Sequence, residues 1–139
     1  MNLSPTLLAN LVTTWALVGL IWVVELAVYP LYERIGAASF AAYHEGWTAG
    51  ITWIVGPLML GELLACGALL VERPRLGALL ALPVAVAWAV TAFWAVPMHG
   101  RLAAGFDEAA WRSLLWANHV RTAAWTLRGA ALVVAALRA

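Results

Sequence analysis

The chain has 139 residues, of which 65% are hydrophobic and only 11% are charged, and its formal net charge is +1. Because soluble domains are typically about 25% charged, this composition excludes an ordinary soluble domain and indicates a polytopic membrane protein. The near-neutral charge and the complete lack of lysine exclude a basic nucleic-acid-binding surface. The nine tryptophans fit a membrane protein, since Trp favours the headgroup level of a bilayer.

The N-terminus lacks the basic stretch of a cleavable signal peptide. We therefore expect its apolar segment to be the first span. The single Cys66 lies in an apolar run, so an intrachain disulfide is excluded and a packing role is expected.

Four apolar segments follow one another along the chain, at about 7–28, 51–71, 76–96 and 114–137. Each has about the 20 residues that a helix needs to cross a hydrocarbon core of about 30 Å. Pro30 follows the first segment, and a short polar turn at 72–75 separates the second from the third. We expect Pro97 to close the third, because a proline disfavours helix at the residue before it. Pro57 and Pro83 lie inside spans.

Two connections carry helical signals of their own. Phe40, His44 and Trp47 follow helical spacing, so the second helix is predicted to begin near Ser39. Asp107 is the expected N-cap of a long fourth helix that starts near 108.

These segments predict an all-α fold: one transmembrane domain over 1–139, built as an up-down-up-down four-helix bundle with both termini on one side. We call the end that holds the termini and the 72–75 turn side A, and the opposite end side B. Arginines are nearly balanced between the two sides, but the short turn of side A is dense in Arg. We therefore expect side A to be cytoplasmic and side B extracytoplasmic, in a bacterial inner (plasma) membrane.

All three histidines are predicted to lie at side B, together with one carboxylate near the end of the first span. These residues are His44, His99, His119 and Glu25. Each of the four helices would then deliver one metal ligand to the same end of the bundle. Imidazole with a carboxylate suits Zn, Cu or Fe, and three protein ligands with an open position form a common catalytic site. The alternative is that the histidines only form interfacial hydrogen bonds.

Two charged residues lie deep inside the predicted spans, at similar depths. Glu62 and Arg128 are each nine residues from the side A end of their span, and we predict that they pair across the bundle. The pair would serve either catalysis or helix register. On the fourth helix, a polar stripe is predicted to face inward, made of Asn118, Arg121, Trp125 and Arg128. Arg121 would lie near enough to Glu25 to compete with a metal for it.

Several tryptophans are predicted to lie in the side B half or the middle of the bundle: Trp22, Trp47, Trp53, Trp94, Trp116 and Trp125. They would wall a pocket for a small hydrophobic, flat aromatic or isoprenoid ligand, or else form an interfacial belt or pack in the core. Small residues such as Gly61, Ala65 and Gly67 allow close helix approach, within the chain or in a homo-oligomer.

The scattered polar residues also resemble a known family. A Tyr-His pair opens the second span, ITWIVGP lies within it, VPMHGRL follows the third, and WANHVRT opens the fourth. Over about 25–129 this pattern resembles the anthrone oxygenase-like family of small four-helix membrane proteins. Some members are associated with oxidising anthrones to anthraquinones. The resemblance implies a catalytic role for His44, His99, Asn118, His119 and Arg121, with or without a metal. The Trp content is also similar to that of tryptophan-rich sensory proteins, but those have five spans.

Three functions remain open from the sequence. The first is an integral-membrane oxidoreductase or oxygenase with a His-lined site of Fe, Cu or Zn, or without any cofactor, that acts on a hydrophobic aromatic substrate. The second is a non-catalytic binding protein for a metal, a lipid or haem b held between two histidines. The third is a structural accessory subunit. The sequence does not decide whether the chain is an enzyme.

Overall fold

The computed structural model describes residues 3–138, and all regular secondary structure in this range is helical. The helices and their intervening segments, in chain order, are α1 (Pro5–Val23), a first π-helical segment (Val24–Val28), a 3-10 helix (Tyr29–Arg34), α2 (Ala37–Glu72), α3 (Pro74–Val90), a second π-helical segment (Thr91–Ala95), α4 (Val96–Leu102) and α5 (Glu108–Leu137).

Four continuous helical stretches are long and apolar enough to cross a membrane: Pro5–Arg34, Ala37–Glu72, Pro74–Leu102 and Glu108–Leu137. The best window of the first three has a mean hydropathy of 2.1, whereas that of the last has 1.3. The lower value reflects the polar side chains that α5 carries into the interior. The predicted all-α fold, with four helices long and apolar enough to span a membrane, is thereby confirmed.

The helices are longer than the apolar segments that indicated them. The second begins at Ala37, close to the predicted Ser39, and the fourth begins at Glu108 as predicted. Ser4 and Asp107 cap α1 and α5, since their side chains accept hydrogen bonds from the amides of Leu7 and Ala110.

The prediction that Pro97 closes the third helix is wrong, because the helical backbone continues through it to Leu102. The second π-helical segment provides the physical reason. The amide of Val96 bonds back to the carbonyl of Thr91, and Pro97 then falls in the first turn of α4. A proline at that position costs little, since its missing N–H would be unpaired there anyway.

The four long helices form a bundle in which α1 and α3 each contact both α2 and α5, so that α2 lies diagonally opposite α5. Three apolar layers fill its interior. One contains Leu7, Leu69, Leu80 and Leu132, the middle one contains Leu17, Met59, Ala87 and Trp125, and the last contains Tyr29, Tyr32, Phe40, Trp111 and Leu114. Gly77 allows α2 and α3 to meet closely, because a Cβ there would collide with the backbone of Leu70.

Candidate active site

A chain of three hydrogen-bonded side chains lies beside the aromatic layer. The Tyr29 hydroxyl is 2.9 Å from Nε2 of His99, and Nδ1 of His99 is 3.0 Å from Nε2 of His44. Each side chain comes from a different helical stretch, so the chain crosses the bundle. Both ring nitrogens of His99 are engaged, which fixes the orientation of its imidazole. We refer to Tyr29, His99 and His44 as the relay.

The two π-helical segments are next to the residues that form the relay. Val24–Val28 immediately precedes Tyr29, and Thr91–Ala95 ends four residues before His99. A π-helical turn inserts one extra residue and rotates everything that follows relative to the preceding helix, and such turns are frequent at functional sites. The carbonyl oxygen of Tyr29 also accepts a hydrogen bond of 2.8 Å from Nε1 of Trp111, which ties this turn to α5.

The far end of the relay is enclosed by aromatic rings. Phe40 stacks on His44, and Tyr32 meets the same ring edge-on. His44 is buried, and within the described range its Nδ1 has no hydrogen-bond partner. The relay therefore ends in a closely packed aromatic region at His44 and begins at a wider space at Tyr29.

That space is a cavity of about 450 Å³ between α2 and the other three helices. Pockets for small molecules usually measure about 300–1,000 Å³. Its walls are mostly apolar and aromatic, and its polar atoms come from few side chains. The lining includes Ile21, Trp47, Met59, Trp88 and Trp125, and its polar residues are Tyr29, Thr48, Thr52, Thr91, His99 and Arg121. Leu60 and Val96 also line it and are more than half exposed, so the cavity reaches the outer surface of the bundle.

Arg121 projects from α5 into this cavity wall and is 6% exposed. One terminal nitrogen donates to Oδ1 of Asn118 at 2.9 Å, and the other is 3.5 Å from the hydroxyl of Thr91. Its Nε is buried without a partner in the part of the chain that the structure describes. The guanidinium is thus held in place, but it is incompletely satisfied.

Glu25 and His119 form a second cluster, on the outer side of Asn118. Glu25 pairs with His119 and also accepts hydrogen bonds from Asn118 at 2.6 Å and from Thr122 at 3.0 Å. The side chain of His119 is 46% exposed and does not line the cavity. Asn118 connects the two clusters, because its amide donates to Glu25 while its carbonyl oxygen accepts from Arg121.

The four ligands proposed for a metal are therefore divided into two pairs, His44 with His99 and Glu25 with His119. Among residues 3–138, no three His, Cys, Asp or Glu side chains are grouped so that they could hold a metal ion. The nitrogens of His99 are already bonded to Tyr29 and His44. Since a catalytic metal needs about three converging protein ligands, the residues at this site do not fit the predicted four-ligand centre.

The deep ion pair expected from the sequence is present in the structure. Nη1 of Arg128 is 3.0 Å from Oε1 of Glu62, and both side chains are fully buried. Glu62 also accepts from Thr14 and from Nε1 of Trp125, each at 2.9 Å. Arg128 donates further to Asn10 at 2.6 Å and to the Leu80 carbonyl at 3.1 Å. The four predicted stripe residues of α5 are all buried.

No family model, curated protein or solved structure matches the chain. Function is therefore inferred from the geometry of the site itself. Of the residues predicted from sequence, His44, His99, Asn118 and Arg121 lie at or next to the cavity, whereas His119 lies outside it. Of the predicted pocket tryptophans, Trp47 and Trp125 line the cavity, and Trp88 joins them.

Sequence reasoning missed Tyr29 and Thr91 as polar groups of the site. Tyr29 lies one turn after Glu25, and a search for metal ligands passes over a phenol. The π-helical turns that aim Tyr29 and His99 have no signature in hydrophobic periodicity. The one available signal was the position of Tyr29 directly before Pro30, at the end of an apolar span.

Proposed function

We propose that this chain is an integral-membrane oxidoreductase that oxygenates a hydrophobic aromatic substrate of the anthrone class in the cavity, with the relay taking up the substrate's proton. The observation that carries the proposal is the hydrogen-bonded chain Tyr29–His99–His44, which starts on the wall of an apolar, ligand-sized cavity. A general base must lie within hydrogen-bond reach of the proton that it removes, and Tyr29 has that position for a ligand in the cavity.

The reaction balances with dioxygen as the oxidant. The ring CH₂ of an anthrone loses two hydrogens and gains one oxygen atom to become a carbonyl, and the second oxygen atom leaves as water. Removal of one proton from the CH₂ produces an aromatic anion, which is the electron-rich form that dioxygen oxidises. The task of the protein is therefore to hold the flat ring system, take up that proton and stabilise the negative charge.

The relay suits this task because each member can pass on a proton as it receives one. When Tyr29 donates to His99 and His99 donates to His44, the Tyr29 oxygen has a lone pair available for the substrate's proton. Each proton then shifts one place along the chain, and the added charge ends on His44. The guanidinium of Arg121 lies on the same cavity wall, where it would stabilise the substrate anion.

A second candidate function is a non-catalytic carrier for the same class of ligand. The observation that favours it is the cavity's extension to the outer surface at Leu60 and Val96, which would let a lipid-dissolved molecule enter sideways. A carrier needs the cavity and its polar end, but it does not need the relay.

The predicted bundle topology and membrane orientation belong to this proposal as well. We infer an up-down-up-down bundle in a bacterial plasma membrane, with Tyr29 and His99 toward the extracytoplasmic side. Anthrone-type substrates partition into bilayers, so the substrate would reach the cavity from either leaflet. A homo-oligomer would be compatible with the many outward-facing apolar side chains, and the proposed chemistry needs only one chain.

The test measures oxygen uptake and anthraquinone formation with anthrone as the substrate, using protein in lipid nanodiscs and empty nanodiscs as the background. We expect Tyr29→Phe and His99→Gln to lower turnover by about 10²–10⁴-fold, the usual contribution of general acid-base catalysis. His119→Gln is the matched control, because it removes a histidine of the same helix bundle that lies outside the cavity.

Each outcome separates the alternatives. Turnover that is unchanged in the Tyr29 and His99 variants would overturn the catalytic role of the relay. Tight binding of anthrone without any turnover by the parent protein would support the carrier function instead. Loss of turnover in His119→Gln alone would move the site to the Glu25 cluster.

A further inference from the structure

We infer that the cavity binds its ligand as an oxyanion, with the negatively charged oxygen of an aromatic carboxylate or phenolate held by Arg121. This inference rests on the proposed function only in taking the cavity as the ligand site, and it does not depend on turnover. It names the chemical class of the ligand: a flat, apolar body with one acidic group.

Arg121 has no countercharge in the part of the chain that the structure describes. None of the five ion pairs found within residues 3–138 includes it. The nearest linked carboxylate is Glu25, which reaches Arg121 only through the Asn118 amide. Glu25 is itself engaged by His119, Asn118 and Thr122. A buried arginine stays charged and is costly to leave unpaired.

Arg128 provides an internal comparison, since it lies two turns further along the same polar stripe of α5. Its Nε donates to a backbone carbonyl, and its terminal nitrogens donate to Glu62, Thr14 and Asn10. Its donors are directed at an acid and at neutral acceptors in a fully closed interior. Arg121 has instead one bond to Asn118 and one long contact to Thr91, and it faces Tyr29 across the cavity wall. Among residues 3–138, no group accepts from its Nε.

The side chains that line the cavity near Arg121 indicate what kind of molecule would carry the oxyanion. Guanidinium binds carboxylate or another planar oxyanion through two parallel hydrogen bonds. Trp125 is one helical turn from Arg121 and lines the same cavity, as do Met59 on α2 and Ile21 on α1. An oxyanion at Arg121 would therefore leave an aromatic body against apolar and aromatic walls.

The relay can complete such a site. If His44 donates to His99 and His99 donates to Tyr29, the Tyr29 hydroxyl hydrogen is free to bond a ligand oxygen. The same three side chains thus either accept a proton from the ligand or donate a hydrogen bond to its anion. Arg121 and Tyr29 would then hold the oxyanion from two sides.

The test compares acidic probes with neutral probes of similar shape. Anthracene-9-carboxylate and anthracene-9-carboxamide form one pair, and 2-anthrol and its methyl ether form the other. Binding to the full-length protein in phosphatidylcholine nanodiscs is followed by energy transfer from the cavity tryptophans to the anthracene. We expect the carboxylate, the anthrol or both to bind at least tenfold more tightly than the neutral partner.

Variants connect this preference to Arg121. Arg121→Gln should abolish the preference while binding of the neutral probes changes less than threefold. Arg112→Gln is the matched control, because Arg112 lies on the same helix, is exposed and pairs with Glu108. Its loss changes the net charge equally, and the preference should persist. The comparison of probes on the parent protein needs no variant, so it decides the inference even if Arg121→Gln fails to fold.

Equal affinities for charged and neutral probes would overturn the oxyanion site and leave the proposed oxygenase standing. A clear anion preference with no turnover of anthrone would support the site and overturn the proposed catalysis. Failure of every probe to bind would overturn the oxyanion site, while the proposed oxygenase would still be decided by turnover of anthrone. A preference that persists in Arg121→Gln would overturn the assignment to Arg121.

Discussion

At the residue scale, His44 is the member of the relay whose role is easiest to separate from ligand contact. It bonds to His99 at 3.0 Å and does not line the cavity. Its ring is held by Phe40 and Tyr32, so a change at His44 reaches a ligand only through His99. The question is whether His44 merely orients His99 or also accepts its proton.

Substitution of His44 by Gln and by Ala distinguishes these roles. The Gln side chain can hydrogen-bond to His99 but cannot take up a proton, whereas Ala can do neither. If His44 is the proton acceptor, both variants should lose about 10²-fold or more in kcat, with the affinity for anthrone unchanged within a factor of three. Single-turnover kinetics and equilibrium binding measure the two quantities. A rate in His44→Gln close to that of the parent would limit His44 to an orienting role.

At the element scale, the start of α5 depends on Asp107. Its carboxylate accepts from the amide of Ala110 at 3.0 Å and pairs with Arg101 at 2.6 Å, which joins the end of α4 to α5. The hydrogen bond from Ala110 is the main cause that lowers the pKa of Asp107 below its ordinary value, and the Arg101 side chain adds to it. The pair with Arg101 needs the ionised form, and the hydrogen bond from Ala110 is stronger to it than to the protonated form.

The sign of the pH dependence follows from this lowered pKa. The contribution of Asp107 to stability is fully present above the pKa of an unfolded Asp, about 3.9. It is lost as the pH falls through the lower pKa of the folded state. Unfolding in mixed micelles, measured between pH 7 and pH 2, should show this loss in the parent chain.

Substitution of Asp107 by Asn and by Ala separates the cap from the charge, because Asn caps helices about as well as Asp but does not titrate. Asp107→Asn should therefore retain much of the stability at pH 7 and lose this part of the acid dependence. Asp107→Ala should lose stability at pH 7 as well. Identical acid profiles in the parent and Asp107→Asn would show that another carboxylate causes the transition.

The helices and their boundaries are partly predictable from the sequence, whereas the π-helical turns inside them are not. Hydropathy identifies four spans because each must offer about 20 apolar residues to lipid, and side-chain chemistry identifies the Asp107 cap. The two π-helical turns are invisible to both signals, since one inserted residue leaves composition unchanged. They nevertheless rotate Tyr29 and His99, and the second one lets the third helix continue through Pro97.

At the scale of the whole molecule, the polar residues divide into the buried network around Glu62 and Arg128 and the groups at the other end of the bundle, for which we propose a function. Glu62 and Arg128 could be paired from sequence because they lie at the same depth in the second and fourth spans. A charge buried inside a span also requires an opposite charge nearby. His119 could not be separated from His44 and His99 in this way, because depth alone does not say which side of a helix faces the interior. The relay and the unpaired Arg121 appear only when the helices are packed.

The contribution of the Glu62–Arg128 pair to stability can be measured by substitution. The pair links the diagonal helices α2 and α5 at the centre of the bundle. Arg128→Met leaves Glu62 buried without its countercharge, and removal of one partner of a buried pair costs about 3–5 kcal/mol. We therefore expect a loss of this size in the free energy of unfolding in mixed micelles. Glu62→Gln combined with Arg128→Met should recover most of it, because the uncharged Gln amide can accept from Trp125 through its oxygen and donate to the Thr14 hydroxyl through its nitrogen. If the losses in free energy of unfolding for the two single substitutions add up to the loss in the double variant, the double-mutant cycle would show that the pair is not coupled. The register between the helices would then be set by the apolar layers alone.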